Sequence, residues 1–199
     1  VVHITQGGVV STYSTGAPDE PFHFPNYPAF DSQGNLYVAA SGDWGARNGK
    51  VFKIAPGGAG AVWNNELVDF PNGLCLGPDG NFLYVVTSLN SPRVVRIPIL
   101  GSGDSGDVET VVELPGTVPD GVAFDTDGNL YISCYRPDRI YRLSPTGKLD
   151  EAVGRIGPPV QNNIFKLFPN FRVEILINRQ LTGVDNTHIH SGLDRAIEK

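Results

Sequence analysis

The sequence predicts an all-β fold made of β-propeller blades, about three of an expected six, each a sheet of four antiparallel strands. The first observation behind this is a repeat. Pro25-Asn26-Tyr27-Pro28-Ala29-Phe30-Asp31-Ser32-Gln33-Gly34-Asn35-Leu36-Tyr37 recurs as Pro71-Asn72-Gly73-Leu74-Cys75-Leu76-Gly77-Pro78-Asp79-Gly80-Asn81-Phe82-Leu83-Tyr84. It recurs again as Pro119-Asp120-Gly121-Val122-Ala123-Phe124-Asp125-Thr126-Asp127-Gly128-Asn129-Leu130-Tyr131. The second observation is the period: positions 26, 72 and 120 head the copies, 46 and 48 residues apart. One propeller blade occupies roughly 40–50 residues. The third is turn chemistry at matching places, with 24 Gly and 16 Pro in 199 residues, the supply that many short strands joined by tight turns require.

Residues 1 to 24 read as the outer part of a preceding blade, with strand-like runs Val1 to Thr5 and Val9 to Tyr13 joined by Gly7-Gly8. In the first complete unit Pro28 to Phe30 is the inner strand, followed by Leu36 to Ala40, Val51 to Ile54 and Ala61 to Trp63. Val51 to Ile54 alternates apolar and polar, as a half-exposed strand does. The second unit gives Leu74–Leu76, Leu83–Thr87, Val94–Ile97 and Val108–Val112; the third gives Val122–Phe124, Leu130–Cys134, Ile140–Leu143 and a weak strand near Leu149. The inner strands are expected to start near Pro28, Gly73 and Gly121. Pro78-Asp79-Gly80, Asp127-Gly128, Pro56-Gly57-Gly58 and Pro145-Thr146-Gly147 supply the turns. The run from Gly101 to Asp107 reads as a flexible, solvated hairpin tip rather than a cation loop.

The repeat stops near Ala152. Residues 1–151 are assigned to a partial propeller and 152–199 to an unplaced tail, with a strand-like Phe171 to Ile177 and Ser191 as a cap for a short helix, Asp194 lying three residues on. His188-x-His190 has the spacing of two imidazoles on one strand face, but without a third ligand in view these read as surface histidines.

Composition narrows the function classes. A net charge of −6 argues against a nucleic-acid surface, which needs clustered Lys and Arg. No apolar run approaches the ~20 residues that span a bilayer. The chain starts at Val1 and has no Met, so its natural N-terminus is expected to be absent, and the compartment is left open. Cys75 and Cys134 fall in apolar strand patterns and are expected to be buried free thiols.

The polar head of each copy (Asn26, Asn72, Asp120) is the functional lead. Carboxylate and amide oxygens suit a hard cation. Asn and Asp also head strands for a purely local reason, because their side chains bond nearby backbone and tolerate turns.

The heads Pro-Asn, Pro-Asn-Gly and Pro-Asp-Gly, in the order Asn, Asn, Asp, resemble the senescence marker protein/gluconolactonase family of regucalcin-like sugar lactonases, over about residues 1 to 150. The resemblance implies a six-bladed propeller with one divalent cation, calcium or zinc, in its central channel. It implies Asn72 and Asp120 as metal ligands and Asn26 as a substrate contact. Asp120 would double as the catalytic base that takes a proton from the attacking water. Two positions depart from the family's pattern. The Glu that the family carries at the start of its first blade has no counterpart here, and Phe24 stands where the family has a substrate-gripping Arg. A more apolar, less anionic lactone is therefore expected.

Three functions compete: a metal-dependent lactone or ester hydrolase acting on a small-molecule lactone, a non-catalytic propeller binding module, and a truncated, inactive lactonase relative. No nucleic-acid or membrane partner is expected. Three blades leave open edges, so residues 1 to 199 alone are expected to be poorly stable or to self-associate through those edges, with little lactonase activity.

Overall fold

The computed structural model describes residues 1–153; Phe171 to Ile177, His188, His190 and the Ser191 cap lie outside them. The described residues fall into two compact units, Val1–Tyr13 and the residues from Ser14 onward. The first is a hairpin of β1 (Val2–Ile4) and β2 (Val10–Thr12), paired Val2↔Thr12 to Ile4↔Val10.

The second unit opens with a two-residue ladder, β3 (Gly16–Ala17) and β4 (Glu20–Pro21). Three four-stranded sheets follow. The first contains β5 (Pro25–Phe30), β6 (Leu36–Ala40), β7 (Lys50–Ile54) and β8 (Gly60–Asn64). The second contains β9 (Pro71–Leu76), β10 (Phe82–Thr87), β11 (Arg93–Pro98) and β12 (Glu109–Glu113). The third contains β13 (Val118–Phe124), β14 (Leu130–Arg136), β15 (Arg139–Leu143) and β16 (Leu149–Val153). Each sheet is an antiparallel meander in chain order. The all-β expectation holds: every regular element among the described residues is a strand.

The repeated turn explains why the first and third copies share Asp-x-x-Gly-Asn. Asp31 Oδ1 accepts from the backbone N–H of Gln33 (2.9 Å) and Asn35 (2.8 Å), and its Oδ2 accepts from Asn35 Nδ2 (2.8 Å). Asp125 repeats this with Asp127 and Asn129. The intervening Gly34 and Gly128 sit at φ 85° and 80°, a region that glycine enters without steric cost.

Two apolar cores lie between successive blades. Tyr37, Val51, Trp63 and Leu67 of the first pack against Leu74, Leu83, Val85, Val95 and Ile97 of the second. Val86, Val94 and Leu114 of the second pack against Val122, Leu130, Ile132 and Leu143 of the third. On β10, Leu83 and Val85 face one neighbour and Val86 the other, as the period of 2 dictates. At roughly 1.5–3 kcal/mol for each fully buried large apolar side chain, these two seams are the main force joining the blades.

Three details correct the sequence reading. The inner strands begin earlier than Pro28, Gly73 and Gly121, so the polar heads lie inside strands rather than ahead of them. The reason is that Phe24 and Phe70 take left-handed backbone angles (φ 52° and 59°), which lets Pro25 and Pro71 enter the ladder at once, opposite Ala40 and Thr87. The loop from Gly101 to Asp107 is not a free tip. The Gly103 carbonyl accepts from Lys53 Nζ (2.9 Å) and Trp63 Nε1 (3.0 Å) of the first blade.

Candidate active site

Each head sits at an irregularity in its ladder. Pro25↔Ala40 followed by Tyr27↔Ala39 leaves Asn26 as the extra residue. Asn72 and Gly73 together oppose Val86, between Pro71↔Thr87 and Leu74↔Val85. Asp120 and Gly121 oppose Ser133, between Pro119↔Cys134 and Val122↔Ile132. A bulge of this kind frees the extra residue from the pleat and re-aims its side chain. Because β5, β9 and β13 begin where β6, β10 and β14 end, the three heads lie at one end of their blades.

Asn72 and Asp120 meet. Asn72 Nδ2 donates to Asp120 Oδ1 at 2.9 Å across adjacent blades. Gly73 makes the approach possible: a Cβ there would stand 2.5 Å from the Asp120 carbonyl oxygen and 2.6 Å from the Gly121 Cα. Asn72 is buried (8% exposed), whereas Asn26 and Asp120 are exposed. Asn26 does not join the pair directly. Its Nδ2 donates to Ser41 Oγ (3.1 Å), and Ser41 Oγ donates to the Pro71 carbonyl (2.8 Å), one residue before Asn72.

The second amide is held the same way. Asn72 Nδ2 donates to Ser88 Oγ (3.3 Å), and Ser88 Oγ donates to the Pro119 carbonyl (2.5 Å). The Ser41 and Ser88 backbone N–H groups in turn donate to the Phe24 and Phe70 carbonyls, at 2.9 and 3.1 Å. With both Nδ2 groups engaged, Oδ1 of Asn72, Oδ1 of Asn26 and Oδ2 of Asp120 carry no hydrogen bond from the described residues. Among the described residues no three His, Cys, Asp or Glu side chains gather as ligands. The donor set is one carboxylate plus amide oxygens, which fits a hard divalent cation.

The surroundings add raised phenol and thiol groups and an apolar rim. Burial pushes the Tyr27 phenol above its usual value, with Cys75 and then Asp120 adding to the effect, and the half-buried ring packs against the core between the first two blades. Burial likewise pushes the Cys75 thiol up to about 12, and raises Cys134 despite a hydrogen bond with Thr117. Both cysteines are free, as expected. Phe24 (64% exposed) and Trp44 (66% exposed) stand on the loops at the same end, and the Trp44 ring meets Phe70 edge-on at 5.0 Å.

Sequence reasoning named Asn26, Asn72 and Asp120 but not Ser41 or Ser88. A signal for the serines was present: each directly follows the second strand of its blade (Leu36–Ala40 then Ser41, Phe82–Thr87 then Ser88).

The fold and site define a class: antiparallel propeller blades whose polar inner-strand heads lie at one end, two of them in contact. Residues 1–164 match the SMP-30/Gluconolactonase/LRE-like region, and the chain belongs to that family. It is 31% identical to regucalcin of Xenopus laevis over 108 residues, which cover 53% of this chain and 36% of that protein. A gluconolactonase of Xanthomonas campestris superposes with a TM-score of 0.64 at 19% identity, over 75% of this chain and 53% of the other. A calcium-binding regucalcin of Agrobacterium tumefaciens superposes with a TM-score of 0.58 at 21% identity, over 71% and 48%. At such identities the structural likeness speaks for the fold. The chain matches about a third of the frog protein's length and about half of each structural neighbour's.

Proposed function

We propose that this chain carries part of the active site of a divalent-cation-dependent lactone hydrolase, with Asn72 and Asp120 as ligands and Asn26 contacting the substrate. The observation that carries the reading is the Asn72–Asp120 pair. Two bulged heads from adjacent blades are joined at 2.9 Å, and each still has an oxygen free. Family membership and the calcium-binding regucalcin among the structural neighbours support a cation there.

Calcium or zinc would supply Lewis acidity toward the lactone carbonyl. The chain's own residues do the rest. Asp120 Oδ2 accepts a proton from the attacking water as its oxygen bonds to the carbonyl carbon. The ring C–O bond breaks, the proton passes to the leaving alkoxide, and a hydroxy acid results. Asn26 Oδ1 orients a substrate hydroxyl. Phe24, Trp44 and Phe70 place apolar surface at this end, so the preferred lactone is uncharged or weakly anionic.

A panel of lactones assayed on the intact protein, with and without chelator, tests this. Turnover of uncharged lactones should vanish on chelation and return with calcium or zinc. Chelator-insensitive turnover would rule out the mechanism, and no turnover on any lactone would favour a binding module.

A further inference from the structure

Ser41 and Ser88 occupy the same place in consecutive blades and make the same three bonds. Each backbone N–H donates to the Phe carbonyl of its own blade, each Oγ accepts from its own blade's head amide, and each Oγ donates to the Pro carbonyl of the next blade. A serine hydroxyl has one proton. In Ser88 that proton is committed to the Pro119 carbonyl, so Ser88 Oγ can only accept from Asn72. The side of the Asn72 amide that faces Ser88 must then be Nδ2, and Oδ1 is turned the other way. The second Asn72 N–H goes to Asp120 Oδ1, which also can only accept.

The third blade supplies the contrast. Its head is Asp120, and the residue five after Leu130, as Ser41 is after Leu36 and Ser88 after Leu83, is Tyr135, 61% exposed, not a serine. A carboxylate has two equivalent oxygens and presents an acceptor whichever way it turns. An amide presents an acceptor in only one of its two orientations, and the serine occurs where the head is an amide.

We propose that Ser88 is a positioning residue that sets the polarity of the Asn72 amide, so that Oδ1 and not Nδ2 faces the cation; Ser41 does the same for Asn26 toward substrate. The cation part rests on the lactonase reading above, while the amide orientation does not.

The test is a double-mutant cycle in the intact protein, read as Ca²⁺ and Mn²⁺ affinity by calorimetry rather than as activity. Ser88→Ala should weaken cation binding roughly tenfold, the usual scale for losing a group that orients a ligand. In an Asn72→Asp background the same change should cost less than about twofold, because a carboxylate needs no orienting. Ser88→Thr keeps the hydroxyl and should restore wild-type affinity. Equal losses in both backgrounds would show that Ser88 only stitches the blades together, and no loss in the Asn72 background would overturn its orienting role. Side-chain amide NMR of the wild-type protein, without cation, separates this from the metal reading. The Asn72 NH₂ protons should exchange slowly and show contacts to the Ser88 Hβ protons. A freely exchanging Asn72 amide overturns the proposal even if the protein binds calcium. A protected amide in a protein that binds no cation supports the orientation and removes the metal reading alone.

Discussion

The junction between the first and second blades and that between the second and third use the same parts with one difference. Both have a polar head at a bulge, a Pro before it, and a serine that bonds the next blade's Pro carbonyl. In the second and third copies the residue after the head is Gly73 or Gly121; in the first it is Tyr27. Gly73 lets β9 lie against the Asp120–Gly121 backbone, and there the two head side chains touch. At the first junction the link between heads is indirect, through Ser41 and the Pro71 carbonyl. A glycine after the head thus marks where two head side chains touch, and with Tyr27 there the first head reaches the next blade only through Ser41.

The largest effect that sharpens this contrast is on cation binding. Asp120→Ala removes the one carboxylate of the pair and should abolish calcium or zinc binding in the intact protein. Asn26→Ala should leave cation affinity within about twofold, as expected for sites with no shared partner, while raising KM for lactones. Calorimetry on both variants checks this. Retained affinity in Asp120→Ala would place the cation elsewhere, and a large loss in Asn26→Ala would erase the difference between the junctions.

A smaller effect is expected on stability. In Gly73→Ala the new methyl group meets backbone atoms of Asp120, Gly121 and Val122 at 2.5 to 3.0 Å, and backbone cannot swing aside as a flexible side chain can. Overpacking of this kind costs about 1–3 kcal/mol. The blades should separate slightly, so the Asn72–Asp120 bond should weaken along with the fold. Denaturant melts of Gly73→Ala, with Tyr27→Ala as the first-blade counterpart, measure it. Only the glycine variant should lose stability together with cation affinity. Wild-type stability in Gly73→Ala would mean that the close approach of β9 and β13 is not what sets the site.

The blades were legible in the sequence because they rest on local physics. Asp31, Asp79 and Asp125 each fold their own turn, and Gly34, Gly80 and Gly128 take the positive φ those turns need. The heads were legible as a repeat position for the same reason. What could not be read was the long-range part. The bulges depend on register against a strand about fifteen residues away, and the serine bonds depend on the next blade's Pro carbonyl, some thirty residues on. The early start of the inner strands was hidden because Phe24 and Phe70 adopt backbone angles that bulky residues rarely take.

The smallest expected effect lies at the opposite end of the blades, where the third turn is built on Asp125, with bonds from Asp127 and Asn129, and the second on Asp79, with bonds from Asn81. Asp79 and Asp125 both accept bonds that favour the ionised form. The Asp79 carboxyl is held below its usual range first by the backbone N–H of Asn81 and then by the Asn81 side-chain amide. For Asp125, partial burial pushes upward, but the bonds from the Asn129 side chain, the Asn129 N–H and the Asp127 N–H outweigh it, and the net shift is downward. A carboxyl whose folded pKa lies below its unfolded value of 3.8 adds stability that is fully present above the unfolded pKa. That stability is lost as pH falls through the depressed folded value. Asp125→Asn keeps the shape and one acceptor but turns an amide toward Asn129 Nδ2, where Oδ2 now accepts at 2.9 Å. Its melting temperature should lie about 1–3 °C below wild type near neutral pH, and the gap should close as pH drops below about 4. Asp79→Asn should shift in the same direction but by less, because Asp79 accepts from the Asn81 N–H and Nδ2 and has no counterpart of the second backbone bond that Asp125 takes from Asn129. Thermal melts from pH 7 to pH 3 check both variants. A gap that widens toward low pH would show that these carboxyls are not held ionised by their turns. An equal or larger gap in Asp79→Asn would show that the number of bonds to the carboxyl does not set the effect.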